Sequence, residues 1–226
     1  MSAKRKIEAV VFDLDGLMVD SEPLARRAWD KVLEEYGHRL DDETHAAIVG
    51  RRTGESAQIV RERFALPVDA EELAAAKTRQ WQSIWALGLP PMPGLYDLQR
   101  QLARRHVPWG VATSSPRMYA AAVVEQLGLA ASCRAIAAGD EVTRGKPAPD
   151  IYLLAAERLG MPPQACLAFE DSEPGARAAQ SAGMLVVAIP NGAPAHGLAF
   201  ADFLFDSLSR AAAQIDSLLG SENAAP

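Results

Sequence analysis

Beyond residue 94, short apolar runs alternate with helical stretches, and this alternation constrains the fold more than any other feature of the chain. A helix over 95–105 precedes a strand at 107–113. Helix 116–127 precedes a strand at 135–138, helix 149–159 a strand at 165–169, and helix 173–182 a strand at 185–189. A strand at 203–205 and a helix at 208–219 close the series. Gly128, Gly160 and Gly183 stand where three of the helices should stop. Such an order implies a parallel sheet with helices on both faces. The earlier run Ile7-Glu8-Ala9-Val10-Val11-Phe12 has the same buried-strand character and is expected to join that sheet.

Between that first strand and residue 94 the rhythm is different. Over 23–37, Leu24, Ala28, Val32, Leu33 and Tyr36 fall on one helical face, and Gly37 is a natural stop. The stretch 41–89 stays helical in character and offers no convincing strand. Pro90-Pro91-Met92-Pro93-Gly94 then interrupts it, because proline blocks helix continuation and restricts its predecessor. Residues 22–91 therefore read as a helical insertion. Its two crossings, near 20–23 and at 90–94, carry the prolines and glycine that suit a hinge.

The balance of 49% hydrophobic and 23% charged residues is that of an ordinary globular protein, and the 226 residues suffice for a buried core. A net charge of −6 argues against a nucleic-acid partner, which calls for a basic surplus. No apolar run approaches the roughly 18–20 residues of a membrane-spanning helix. The basic start Met-Ser-Ala-Lys-Arg-Lys lacks the apolar stretch and cleavage site of a signal peptide. The expectation is a cytoplasmic protein with no membrane partner, monomeric or weakly dimeric. Cys133 and Cys166 have no metal-ligand spacing and read as inert buried thiols. The stretch 221–226 reads as a short low-complexity tail.

Polar residues cluster just after the expected strands, at the sheet edge where ligands bind in parallel α/β folds. Asp13 and Asp15 follow the first strand, and Thr113, Ser114 and Ser115 the second. Lys146 lies in Thr143-Arg144-Gly145-Lys146-Pro147, and Glu170-Asp171 follow the strand at 165–169. Carboxylates gathered around one point repel unless a cation sits among them. Oxygen-only ligands suit a hard ion such as Mg²⁺, which shares one or two carboxylates with a substrate phosphate. Lys146, the Thr113 hydroxyl and the N–H groups of a helix start add an anion site. Metal, lysine, hydroxyl and helix N-terminus together describe phosphoryl transfer.

Four segments carry a resemblance. They are Phe12-Asp13-Leu14-Asp15-Gly16-Leu17-Met18-Val19-Asp20-Ser21-Glu22-Pro23, Ala112-Thr113-Ser114-Ser115, Gly145-Lys146-Pro147-Ala148-Pro149-Asp150, and Phe169-Glu170-Asp171-Ser172 with Gly175 and Ala178. In this order and spacing the chain resembles the haloacid dehalogenase-like hydrolase superfamily, in the branch of β-phosphoglucomutase and sugar-phosphate phosphatases. The resemblance implies an α/β, Rossmann-like doubly wound parallel core (1–21 and 92–226) with an inserted all-helical cap domain (22–91). It implies that Asp13 is the nucleophile of an aspartyl-phosphate mechanism and Asp15 the general acid, then base. It implies Mg²⁺ on Asp13, the Asp15 backbone carbonyl and Asp171, with Glu170 a ligand or a neighbour of the ligands. Thr113 and Lys146 would hold the phosphoryl group, with Ser114 and Ser115 nearby and Arg51 and Arg52 facing a small phosphorylated metabolite from the cap.

Two departures bear on the reaction. Where the mutase pattern has a histidine after the first motif this chain has Ala25, and where it has a cap lysine and arginine this chain has Val49 and Thr53. A mutase must hold a bisphosphate through reorientation, so the expected activity is a phosphatase, with a phosphomutase as the alternative. Trp81 and Trp85, four apart on a helix, read as cap core, and His38, His45, His106 and His196 match no motif and read as surface or structural groups.

Overall fold

The computed structural model describes residues 6–191 and 195–220; the tail at 221–226 and the side chain of His196 lie outside the described residues. A six-stranded, all-parallel sheet runs in the order β3-β2-β1-β4-β5-β6. Its strands are β1 (Ala9–Phe12), β2 (Trp109–Ala112), β3 (Cys133–Ala137), β4 (Cys166–Glu170), β5 (Leu185–Ala188) and β6 (Phe203–Leu204). The chain order reverses between β1 and β4, which makes their carboxyl ends the switch point of a doubly wound sheet.

The central strands are apolar throughout because both faces are covered. Val10 and Phe12 point into one cluster, with Leu95, Leu98 and Leu102 of α5 (Leu95–Arg104) and Val123 of α6 (Arg117–Gln126). Ala9 and Val11 point into the other, with Ile151, Tyr152 and Ala155 of α7 (Asp150–Leu159) and Ala176 and Ala179 of α8 (Glu173–Ser181). Phe12 stacks on Phe169 at 5.1 Å and meets Trp109 edge-on at 5.7 Å, welding the three middle strands.

Helices α1 (Glu22–Glu34), α2 (Asp42–Ile48), α3 (Thr53–Arg63) and α4 (Ala70–Trp85) form the insertion, around their own core of Trp29, Val32, Leu33, Val60 and Leu73. Asp41 and Asp69 start α2 and α4 by accepting from the N–H of Thr44 and Glu72, each at 2.7 Å. The two crossings lie side by side: the Asp20 N–H donates to the Pro90 carbonyl and the Met92 N–H to that of Met18, both at 2.9 Å.

Two expectations shift. The single helix expected over 208–219 is two, α9 (Leu208–Ala213) and α10 (Ile215–Leu219). Gln214 leaves the helical basin at φ −113°, and its N–H turns to Ala211. The apolar spacing continues unbroken across the bend, so the pattern could not reveal it. Trp81 and Trp85, read as cap core, pack instead against the sheet-side cluster, because α4 lays this end on α6.

Candidate active site

Strand register builds the site. Phe12 lies opposite Phe169, so the next residue of each strand, Asp13 and Glu170, emerge abreast, and the Asp13 N–H is tied to the Phe169 carbonyl at 3.0 Å. Asp171 follows directly. Carboxylate oxygens of Asp13, Glu170 and Asp171 lie within 4.8 Å of one another, all three side chains buried. Lys146, 3% exposed, reaches in to Asp13 Oδ1 at 2.5 Å and Glu170 Oε1 at 2.6 Å.

Glu170 is the anchor of this group. Its Oε1 also accepts from the Tyr152 hydroxyl at 2.8 Å. Its Oε2 accepts from the N–H groups of Asp171 and Ser172 and from the Ser172 hydroxyl, at 3.0–3.1 Å. Gly175, in the first turn of α8, makes room for it: a Cβ there would lie 1.6 Å from Glu170 Oε1. Gly16, at φ +82°, does the same for Asp171, whose Oδ2 would lie 2.2 Å from an added Cβ.

The donor set fits a hard divalent cation. Three buried carboxylates face one ammonium, an excess of negative charge that buried groups do not sustain unaided. Burial, with Glu170 and Asp15 beside it and against the pull of Lys146, pushes the Asp13 carboxyl up to about 8. Asp171 is raised well above the carboxylate range by burial, then by Glu170 and Asp13. Burial works against the charge on Lys146, but Asp13 and Glu170 more than offset it and its pKa rises. With Glu170 saturated by donors, Asp13 and Asp171 keep the oxygens a cation would need.

Asp15 stands at the rim, half-buried, accepting from the Ser115 hydroxyl at 2.7 Å and from the Tyr119 hydroxyl at 2.6 Å. Burial, then the Asp15 charge, keeps the Tyr119 phenol protonated. Thr113 is buried, its hydroxyl accepting from the Ser115 N–H at 3.1 Å. Ser114, expected near substrate, ties core to cap through the Gly50 carbonyl at 2.9 Å.

A cavity of about 100 Å³ lies above Asp13 and Asp15, between core and cap. Arg51 lines it. Arg52 does not: its guanidinium turns to the core and donates to the carbonyls of Val142 (2.6 Å) and Thr143 (3.1 Å), in the loop that leads to Lys146. Ala25, Val49 and Thr53, the residues at the two departures from the mutase pattern, all line the cavity. So do Glu22 and Lys77, to which the sequence reading gives no role, and His45 and Trp81, which it reads as a surface or structural group and as cap core. His45 Nε2 pairs with Glu22 at 3.3 Å. Lys77 lies over Trp81 at 5.1 Å, and its pKa is lowered by burial against the opposing pull of Asp15 and Glu22. Only Glu22 sits inside a motif; the others lie on helices whose facing the cap's packing decides.

A six-stranded parallel sheet with a helical insertion after β1, and acidic groups at the switch point, defines the capped haloacid dehalogenase class. The chain matches the haloacid dehalogenase-like hydrolase family over residues 7–183 and belongs to it. It is 38% identical over 175 residues to fructose-1-phosphate phosphatase YqaB of Escherichia coli, covering 77% of this chain and 92% of that one. It is 33% identical over 178 residues to the phosphorylated carbohydrates phosphatase of Thermotoga maritima, covering 79% and 82%. Among solved structures, β-phosphoglucomutase of Clostridium difficile superposes with a TM-score of 0.81 at 26% identity, over 90% of this chain and 92% of that one. The chain is a phosphoric monoester hydrolase of this family's capped branch.

Proposed function

We propose that the protein is a Mg²⁺-dependent phosphatase that cleaves a small phosphorylated sugar or polyol through an aspartyl-phosphate on Asp13. The observation that carries this reading is the buried group of Asp13, Glu170 and Asp171 carboxylates with Lys146 seated among them. Asp13, the Asp15 backbone carbonyl and Asp171 would hold the cation. Bound there, it neutralises oxygens of the transferring phosphoryl group and keeps Asp13 ionised.

One Asp13 oxygen attacks phosphorus while the bond to the ester oxygen breaks, and the Asp15 carboxyl gives its proton to the departing alcohol. Water then attacks the aspartyl-phosphate, its proton passes to Asp15, and inorganic phosphate leaves with Asp13 restored. Lys146 and the Thr113 hydroxyl hold the phosphoryl oxygens throughout. Glu170 positions Lys146. Glu22, His45, Lys77 and Arg51 face the leaving group, with Trp81 as an apolar wall. Carboxylates and cations are mixed in this wall, which suits a hydroxyl-rich, uncharged leaving group.

The YqaB and Thermotoga maritima relatives, a fructose-1-phosphate phosphatase and a phosphorylated carbohydrates phosphatase, support the same substrate class. The β-phosphoglucomutase likeness raises a mutase reading. Against it stand Ala25, Val49 and Thr53 where that pattern has a histidine, a lysine and an arginine; the His45, Lys77 and Arg51 of this cavity come from other positions. Assaying phosphate release from a panel of sugar, polyol and nucleoside monophosphates, with Mg²⁺ and with a chelator, tests the proposal. Metal-dependent release from sugar or polyol phosphates is expected, with no conversion of β-glucose 1-phosphate to glucose 6-phosphate. Efficient conversion would overturn it in favour of the mutase.

A further inference from the structure

Tyr119 belongs to none of the four motifs, yet it touches both halves of the molecule. It lies in the first turn of α6, 6% exposed. At one end its hydroxyl donates to Asp15 Oδ1 at 2.6 Å. At the other its ring meets two tryptophans of cap helix α4. Trp81 is tilted against it at 5.8 Å between ring centres and 52°, and Trp85 meets it edge-on at 5.3 Å and 82°. Trp81 also borders the cavity and carries Lys77 over its face, whereas Trp85 is not among the cavity's lining residues. The aromatic contact made by the docked cap is therefore continuous with the hydrogen bond that orients the carboxyl at the reacting bond.

We infer that Tyr119 is a positioning residue that relays cap docking to Asp15, so that Asp15 takes its working orientation only when Trp81 and Trp85 have closed on the phenol ring. A short hydrogen bond from the phenol to the Asp15 carboxyl fixes its rotamer, and packed aromatic rings hold the donor with little freedom of its own. With the cap lifted from α6, the ring loses the face that aims its hydroxyl. This couples leaving-group capture by the cap to the group that protonates the leaving oxygen. It makes the proton transfer conditional on closure, a form of induced fit. The inference rests on the phosphatase reading for its kinetic consequence but on geometry alone for the coupling itself.

Two esters separate this relay from a structural role. Fructose 1-phosphate has an alcohol leaving group that needs a proton; p-nitrophenyl phosphate leaves as a stable phenolate and needs none. Tyr119→Phe is expected to lower kcat/KM, which reports formation of the aspartyl-phosphate, by about tenfold to a hundredfold for fructose 1-phosphate and to leave kcat/KM for p-nitrophenyl phosphate within about twofold. Trp85→Ala, made at a residue outside the cavity lining, is expected to give the same selective loss, and Trp85→Phe to restore it. Equal losses of kcat/KM on both esters, or none on either, would overturn the inference, whereas a fall in kcat on both follows from the second role of Asp15 as base in hydrolysis of the common aspartyl-phosphate.

Independently of turnover, urea unfolding of Asp15→Ala, Trp85→Ala and the double variant measures coupling between the two ends of Tyr119. Non-additive effects in the wild-type background, becoming additive once Tyr119 is Phe, are expected. Additivity in both backgrounds would refute the relay. Should the wild-type enzyme cleave no ester, the phosphatase reading fails and the unfolding cycle still decides the coupling.

Discussion

Asp13 and Asp171 are buried carboxyls held above their ordinary range, and that sets how metal and pH should act together. Asp13 is displaced from 3.8 to about 8, so the metal-free folded protein keeps a proton that the unfolded chain releases. Stability of the metal-free protein should therefore fall as pH rises between those values, by about 1.4 kcal/mol per pH unit for one such proton. On the proposed reading Mg²⁺ would compete with that proton, so its affinity should strengthen with rising pH and level off above about 8. Thermal unfolding with and without Mg²⁺ at mildly acidic and mildly alkaline pH checks both, and a Mg²⁺ increment independent of pH would contradict them. Asp13→Asn keeps the volume and removes the proposed nucleophile. Turnover should drop by about four orders of magnitude or more, with an unchanged circular dichroism spectrum. Asp13, Lys146 and the Glu170-Asp171 pair were legible as chemistry because each sits in a short motif beside an apolar strand. Tyr152 and Tyr119 were not, because a tyrosine inside a helix carries no sign of whether its hydroxyl meets a carboxylate or solvent.

The first turn of α8 does more than begin a helix. Ser172 caps it by accepting from the Gly175 N–H at 3.3 Å, and the same hydroxyl donates to Glu170. Gly175 leaves the space in which the Glu170 carboxylate sits. Gly175→Ala should push Glu170 off Lys146, at a cost of about 1–3 kcal/mol in unfolding free energy and about tenfold or more in kcat. Urea unfolding and steady-state kinetics on one preparation test the pair, and a stable, fully active variant would show that Glu170 is not held as described. Helix starts were readable here because cap residues and prolines announce them. The break at Gln214 was not, since a backbone that bends without disturbing the apolar period leaves no mark on the pattern.

Cap and core meet through few polar contacts, and Arg52 supplies two of them. Arg52→Ala should loosen the closed arrangement and raise KM for a sugar phosphate by about tenfold, the worth of hydrogen bonds to a charged group. The kcat should change less, since Arg52 does not line the cavity. An unchanged KM would remove Arg52 from the docking surface. Arg51 and Arg52 show what adjacency in sequence conceals: one borders the cavity and its neighbour grips the opposite domain. The order of elements, the doubly wound sheet, the inserted helices and the acidic residues at strand ends follow from the sequence alone, because hydrophobic periodicity and proline and glycine punctuation act over a few residues at a time. Tertiary structure alone decided which cap side chains face the cavity, that Glu170 is saturated by donors, and that Tyr119 joins two cap tryptophans to Asp15. Those outcomes depend on the angle at which one packed unit settles on another, and no local pattern encodes that angle.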